Sequence, residues 1–232
     1  MGNVKFLGGF MGAGKLLVLE GSCDGIGKTT QYNKLKERLV EDGETVVGHH
    51  FPSYNTIQGA LVESYLKGEF GNIKDMSPYL INSFYACDRA VTWNNELKGH
   101  YEKGDTILLD RYTTSSLIYQ ASTIKDEKEK IEFIKYVIDY EYNRLRIQEP
   151  DDIIYLHVPF DLATELRNAR KENEGIKKDI HESNLEFMKM VYENSLFIAD
   201  YLNWSKVECS KNGEMRSIND INNEVYERIR KK

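Results

Sequence analysis

A strand, a glycine-rich turn and a helix near the start of the chain constrain its fold more than any other feature. Leu16-Leu17-Val18-Leu19-Glu20 is an apolar run of strand length, and Gly21-Ser22-Cys23-Asp24-Gly25-Ile26-Gly27-Lys28-Thr29-Thr30 follows it. Residues 29–41 then carry apolar positions at helical spacing, with Leu35 and Leu39 four apart. Glycines let backbone N–H groups turn inward around phosphate oxygens. The helix behind them presents the positive end of its dipole to the same place. Lys28 at the helix mouth reaches β- and γ-phosphates, and Thr29 places a hydroxyl on Mg2+; Gly25, Gly27 and Thr30 complete the cradle.

The strict spacing GxxxxGK[ST] wants a glycine at position 22, where Ser22 stands, and Gly21 lies one residue too far back. Either the loop carries one extra residue or Ser22 takes the glycine's place. A second segment, Gly9-Phe10-Met11-Gly12-Ala13-Gly14-Lys15, has the strict spacing. Leu16 then replaces the hydroxyl residue, and a strand pattern follows where a helix is required. The second segment therefore lacks both the Mg2+ hydroxyl and the dipole, and the phosphate loop is assigned to Lys28. Residues 1–14 are expected to form a flexible N-terminal extension, and residues 15–232 one domain, because four prolines form no linker in 232 residues.

Further strand candidates are residues 45–47, 106–109, 153–158 and 206–209. Helical patterns lie between them. Ser77 is placed to cap a helix running towards Glu102 with Pro78 in its first turn, and residues 131–145 and 185–202 are amphipathic. Strands alternating with helices predict right-handed crossovers and a parallel sheet covered on both faces. Ligands of such sheets sit at the carboxyl ends of the strands. Residues 171–179, rich in Lys, Glu, Asn and Gly, read as a mobile loop between two helices.

Asp110 and Arg111 end a strand candidate at that ligand-facing edge. The carboxylate suits Mg2+ or a hydroxyl, and the guanidinium suits a phosphate; a salt bridge closing a loop is the plainer alternative. Tyr85 and Arg89 are four apart on one helix and share a face, which suits stacking and hydrogen bonding of a flat carbonyl-bearing base, or simply core and surface. His50-Phe51-Pro52-Ser53-Tyr54 makes a turn with aromatic walls. Arg167, Arg170, Lys171, Lys177 and Lys178 supply cations around the polar stretch. The histidines, His181 among them, form no metal pattern. Cys23, Cys87 and Cys209 form no CxxC pair and read as reduced thiols of a cytoplasmic protein. A net charge of −6 argues against gripping nucleic acid, and no run approaches a membrane span of about 20 apolar residues.

From Lys15 onward the chain resembles the thymidylate kinase family. The resemblance rests on EG…DGxGKTTQ (Glu20 to Gln31), FPxY (Phe51 to Tyr54), YAxDR (Tyr85 to Arg89) and DRYxxSxxxYQ (Asp110 to Gln120), which occur in the family's order. It implies a three-layer α/β/α P-loop kinase fold with a central five-stranded parallel sheet and a lid around residues 167–182. It implies Mg2+-dependent transfer of the ATP γ-phosphoryl group to dTMP, and a homodimer. The alternatives are a kinase for another nucleoside monophosphate or a deoxynucleoside, or a nucleotide-binding protein of this fold with reduced or lost catalysis. Carried over by position, Lys28 and Thr29 bind ATP phosphates and Mg2+, with Asp110 as the metal's carboxylate. Asp24 meets the acceptor's 3′-hydroxyl, Arg111 its phosphate, and Arg89 the base carbonyl. Tyr85 stacks on the base, Ser116 and Gln120 approach it, and Tyr119 lies under the deoxyribose. Phe51 and Tyr54 line the acceptor pocket, and Arg170 belongs to the lid. Three departures stand out. The stretch from Glu20 to Lys28 is one residue longer than the family norm, the basic residue near the FP turn is missing, and His157 replaces an aspartate on the fourth strand.

Overall fold

The computed structural model describes residues 14–71, 76–174 and 185–231, and only the backbone of residues 170–174. Gly9, Gly12, Lys177, Lys178, His181 and residues 175–182 of the expected lid lie outside the described residues. The elements are β1 (Lys15–Gly21), α1 (Lys28–Glu41), β2 (Val46–His50), α2 (Ala60–Leu66), α3 (Pro78–Thr92), α4 (Lys98–Glu102), β3 (Thr106–Asp110) and α5 (Thr113–Tyr119). There follow α6 (Glu127–Ile138), β4 (Asp152–His157), α7 (Phe160–Glu174), α8 (Leu185–Tyr201), β5 (Ser205–Glu208), the short pair β6 (Ser210–Lys211) and β7 (Glu214–Met215), and α9 (Ile218–Arg230). Five strands form one parallel sheet in the order β2-β3-β1-β4-β5.

The near-continuous apolar runs of β1 and β3 follow from burial of both sheet faces. Leu17, Leu19 and Leu108 point to one side and pack with Leu35 and Leu39 of α1 and Ile221, Val225 and Ile229 of α9. Leu16, Val18, Ile107 and Leu109 point to the other and meet Phe51, Trp93 and Leu97. That second face continues through Tyr155 and the apolar sides of α5, α6 and α8. The three-layer α/β/α expectation is met.

Ser77 caps α3 by accepting from the Tyr79 N–H at 3.1 Å, with Pro78 in the first turn as the sequence predicts. The helical run does reach Glu102, but residues Trp93–Leu97 widen into a π turn. A second π turn, Asp139–Arg144, continues α6, which starts earlier than expected because Asp126 caps it at the Glu129 N–H. Helix α7 continues to Glu174, so the first residues of the supposed loop are helical. The short helices α2 and α5 and the terminal α9 had no separate expectation. Truncating Leu108 to Ala removes a fully buried side chain of β3, an interior strand of the sheet. The expected loss is about 2–5 kcal/mol of unfolding free energy, measured by urea denaturation; a loss within ~0.5 kcal/mol, the usual range of surface substitutions, would contradict this packing.

Candidate active site

The phosphate loop leaves β1 at the carboxyl edge of the sheet. Gly25 (φ 81°) and Gly27 (φ 87°) both take left-handed backbone conformations, which cost a glycine little. Gly25 has a second constraint, because a Cβ there would lie 3.3 Å from the Arg167 Cβ. Gly27 caps α1 without a side chain. The first intrahelical bond runs from the Gln31 N–H to the Gly27 carbonyl at 3.1 Å, so the N–H groups of Lys28, Thr29 and Thr30 precede the ladder and face an incoming anion. Ser22 does not substitute for a loop glycine in function. Its N–H donates to the Leu156 carbonyl at 2.9 Å, and its hydroxyl bonds the Val158 carbonyl and N–H at 3.0 and 3.1 Å. The extra residue thus prolongs contact with the end of β4, and the turn itself is made by residues 24–27. Lys15 opens β1 at the opposite edge, where its Nζ donates to the Ile229 carbonyl at 3.0 Å.

Two ion pairs join this loop to the end of β3. Lys28 pairs with Asp110, whose other oxygen receives His50 Nδ1 at 3.1 Å. Arg111 pairs with Asp24, whose other oxygen accepts from the Tyr119 hydroxyl at 2.7 Å. Arg111 itself has φ 67°, and its N–H donates to the Leu19 carbonyl at 3.2 Å. Beneath it Glu20 is wholly buried and accepts from Thr114 Oγ1 at 2.8 Å, Ser115 Oγ at 2.6 Å and the Gly21 N–H at 3.0 Å. Lys28, Asp110, Arg111, Asp24 and Tyr119, all predicted to handle phosphate, metal or sugar, are therefore in one place, with the cations and carboxylates paired to each other.

Burial by itself raises the pKa of Asp110, but the His50 hydrogen bond and the Lys28 ammonium together hold it well below the usual carboxylate value. Burial likewise opposes ionisation of Asp24, and Arg111 and then Lys28 overcome it. Burial and the neighbouring Arg111 lower the Lys28 pKa against the pull of Asp110.

Beside these pairs lies a cavity of about 240 Å³. Asp24, His50, Phe51, Pro52, Tyr54, Leu66, Tyr85, Arg89, Arg111, Tyr112, Ser115, Ser116, Tyr119 and Gln120 line it. Phe51 is buried against the Tyr112 ring at 5.8 Å, and Tyr54 is exposed at the mouth. The FP turn is held from behind: the Ser53 N–H donates to Asp88 at 2.8 Å, and its hydroxyl meets His49 Nε2 at 3.0 Å and Thr92 Oγ1 at 3.1 Å. Ser53 is therefore turned into α3 instead of filling the place of the absent basic residue. Gln120 is 5% exposed, and its Oε1 has no hydrogen-bond partner among the described residues.

Arg89 and Tyr85 both reach this cavity, as their spacing predicts. The Arg89 side chain is buried rather than open, bonded to Glu141 and to Ser116 Oγ. Sequence reading missed Glu141. The available signal was a carboxylate at 141 on the stripe formed by Ile134 and Val137, since a charge on a buried helix face requires a partner. The Arg170 side chain lies outside the described residues. Arg167 of α7 is the cation next to the phosphate loop, 7% exposed, packed at Gly25 and drawing down the Asp24 pKa.

Among the described residues no cluster of three or more His, Cys, Asp or Glu forms a metal cage. An exposed Thr29 hydroxyl at the helix mouth and the strongly acidic Asp110 instead fit a Mg2+ that takes its other ligands from phosphates and water. Among the described residues no helix is long and apolar enough to cross a membrane. His157 bonds Glu208 at 2.5 Å and the Tyr192 hydroxyl at 3.1 Å, on the β5 side of the sheet.

The depressed Asp110 pKa has a consequence for folding. Its contribution to stability is complete above the unfolded value of about 3.9 and is lost as pH falls through the lower folded value. The gap in unfolding free energy between the wild type and Asp110→Asn should be widest near neutrality and narrow below about pH 4. Acid and neutral denaturant titrations measure it, and a gap independent of pH would contradict the ion pair.

Comparison with known proteins agrees with the geometry. The family model described as thymidylate kinase matches residues 19–220. A thymidylate kinase of Synechococcus is 30% identical over 199 residues, 84% of this chain and 87% of that protein. The thymidylate kinase of Plasmodium falciparum is 27% identical over 94% of this chain and 90% of its own length. The solved structure of thymidylate kinase from Candida albicans shares the fold with a TM-score of 0.68, at 20% identity, covering 94% of this chain and 92% of that one. A family model spanning most of the sequence, over a sheet and phosphate loop of the kind that sequence predicts, shows that the chain belongs to the thymidylate kinase family.

Proposed function

We propose that this chain transfers the γ-phosphoryl group of Mg·ATP to the phosphate of dTMP, giving ADP and dTDP. The observation that carries the reading is that Arg89 and Gln120, whose Oε1 has no partner among the described residues, line one cavity together with Asp24 and Arg111. A permanently protonated guanidinium only donates, and Gln120 Oε1 only accepts. Thymine presents a carbonyl next to an N–H and satisfies both. Cytosine places an amine and a bare ring nitrogen at those positions and satisfies neither.

In this reading the two ion pairs hold the place of substrate. Lys28 exchanges Asp110 for β- and γ-phosphate oxygens, and the N–H groups at the start of α1 bind the same phosphates. Arg111 exchanges Asp24 for the acceptor phosphate, which frees Asp24 for the sugar 3′-hydroxyl. Tyr119 lies under the deoxyribose, and Tyr85 stacks on the base. Thr29 and Asp110 would hold Mg2+, which would supply neutralisation of phosphate charge. The acceptor phosphate is already a nucleophile, so the protein contributes alignment and charge compensation rather than a strong base. Arg167, and Arg170 on the lid, stabilise charge on the transferring group.

We also infer a homodimer in the cytoplasm. Supporting it, Leu80, Phe84, Cys87 and Val91 recur on one side of α3, with Leu80 48% and Val91 37% exposed, a stripe suited to a second copy. ADP formation from Mg·ATP with dTMP, dUMP, dGMP, UMP and CMP tests the activity. The expected result is a strong preference for dTMP, with turnover falling about a hundredfold or more in Lys28→Ala. Folded, ATP-binding protein that turns over no acceptor, or a Lys28→Ala variant of undiminished rate, contradicts the reading.

A further inference from the structure

The π turn at residues 139–144 brings to the cavity around Arg89 a residue that lies outside the four sequence motifs. Glu141 is wholly buried. Its carboxylate accepts from Arg89 Nε at 2.6 Å and Nη2 at 2.7 Å, and from Thr113 Oγ1 at 3.2 Å. Arg89 Nη2 also donates to Ser116 Oγ at 2.8 Å. A guanidinium has five N–H groups, and these bonds use the three on Nε and Nη2. Among the described residues the Nη1 end has only a long 3.4 Å hydrogen bond to the Tyr112 carbonyl.

We propose that Glu141 is a positioning residue for acceptor recognition: it grips one edge of the Arg89 fork so that the Nη1 end alone is presented to the base. The inference rests on the reading of the cavity as the site of a carbonyl-bearing base. Three observations carry it. The grip is bidentate, so it fixes orientation as well as charge. Residue 141 lies in a π turn, and such turns recur at functional sites. A buried ion pair is also weak as a stabilising device compared with apolar packing of equal volume, so stability alone does not account for a wholly buried carboxylate here. Thr113 and Ser116 come from α5, which also carries Tyr119 and ends at Gln120. Glu141 therefore ties α3, α5 and the π turn together at the base end of the cavity.

Steady-state kinetics of the full chain with Glu141→Gln and Glu141→Asp tests the proposal, with dTMP and ATP varied separately. The expected result for Glu141→Gln is a KM for dTMP raised tenfold or more, with the KM for ATP within twofold of wild type. Glu141→Asp, which keeps the charge, should recover part of the loss. Equal shifts in both KM values, or a fall in kcat alone with unchanged KM for dTMP, overturns it and leaves Glu141 a structural group. If Glu141→Gln does not fold, Thr113→Val removes one bond to the carboxylate while keeping the ion pair. It should then raise the dTMP KM two- to fivefold at constant ATP KM, and an unchanged dTMP KM overturns the proposal. Wild-type ADP formation with dTMP, measured in the same assay, separates failure of this inference from failure of the activity itself.

Discussion

Everything at the catalytic edge depends on how four charges are held where β1 and β3 end. Lys28 and Asp24 come from the loop after β1, Asp110 and Arg111 from the end of β3, and they pair across the gap. Parallel register makes this possible, since Leu19 stands opposite Asp110 and brings the two strand ends level. In a buried setting, unpaired charges cost several kcal/mol each. Lys28, Asp110, Arg111 and Asp24 thus neutralise one another in pairs. Burial works against the charged state of both Asp24 and Asp110, and the neighbouring cations reverse it.

The same economy extends to the base end of the cavity. Arg89 is the largest fully buried side chain, and Glu141 compensates its charge. Gln120 is buried with an acceptor that has no partner among the described residues, a state that carries a desolvation cost. The site is therefore organised around buried charges and dipoles that pair with one another, on a sheet whose two apolar faces keep the strand ends fixed.

Much of this was legible in the residues. Glycines before Lys28-Thr29 gave the loop, and apolar runs such as Ile107 to Leu109 gave the buried parallel strands. The four-residue spacing of Tyr85 and Arg89 placed both side chains at the cavity. Other features were hidden for physical reasons. Spacing could not decide the role of Ser22, because its partners, Leu156 and Val158, are more than a hundred residues away in sequence. Both π turns escaped because one extra residue in a helical turn leaves the apolar periodicity nearly intact. Glu141 escaped with them, since its partner Arg89 lies on another helix. The short α2 and α5 carry too few residues for a periodic signal.

The central claim is that a donor at Arg89 and an acceptor at Gln120 read the polar edge of the base. The most direct measurement compares kcat/KM for dUMP and dCMP with Mg·ATP, because the two differ only in the groups that this edge presents. The account predicts dUMP favoured by about a hundredfold or more, as expected where a mismatched substrate leaves buried polar groups unpaired. Comparable values for the two acceptors would contradict it.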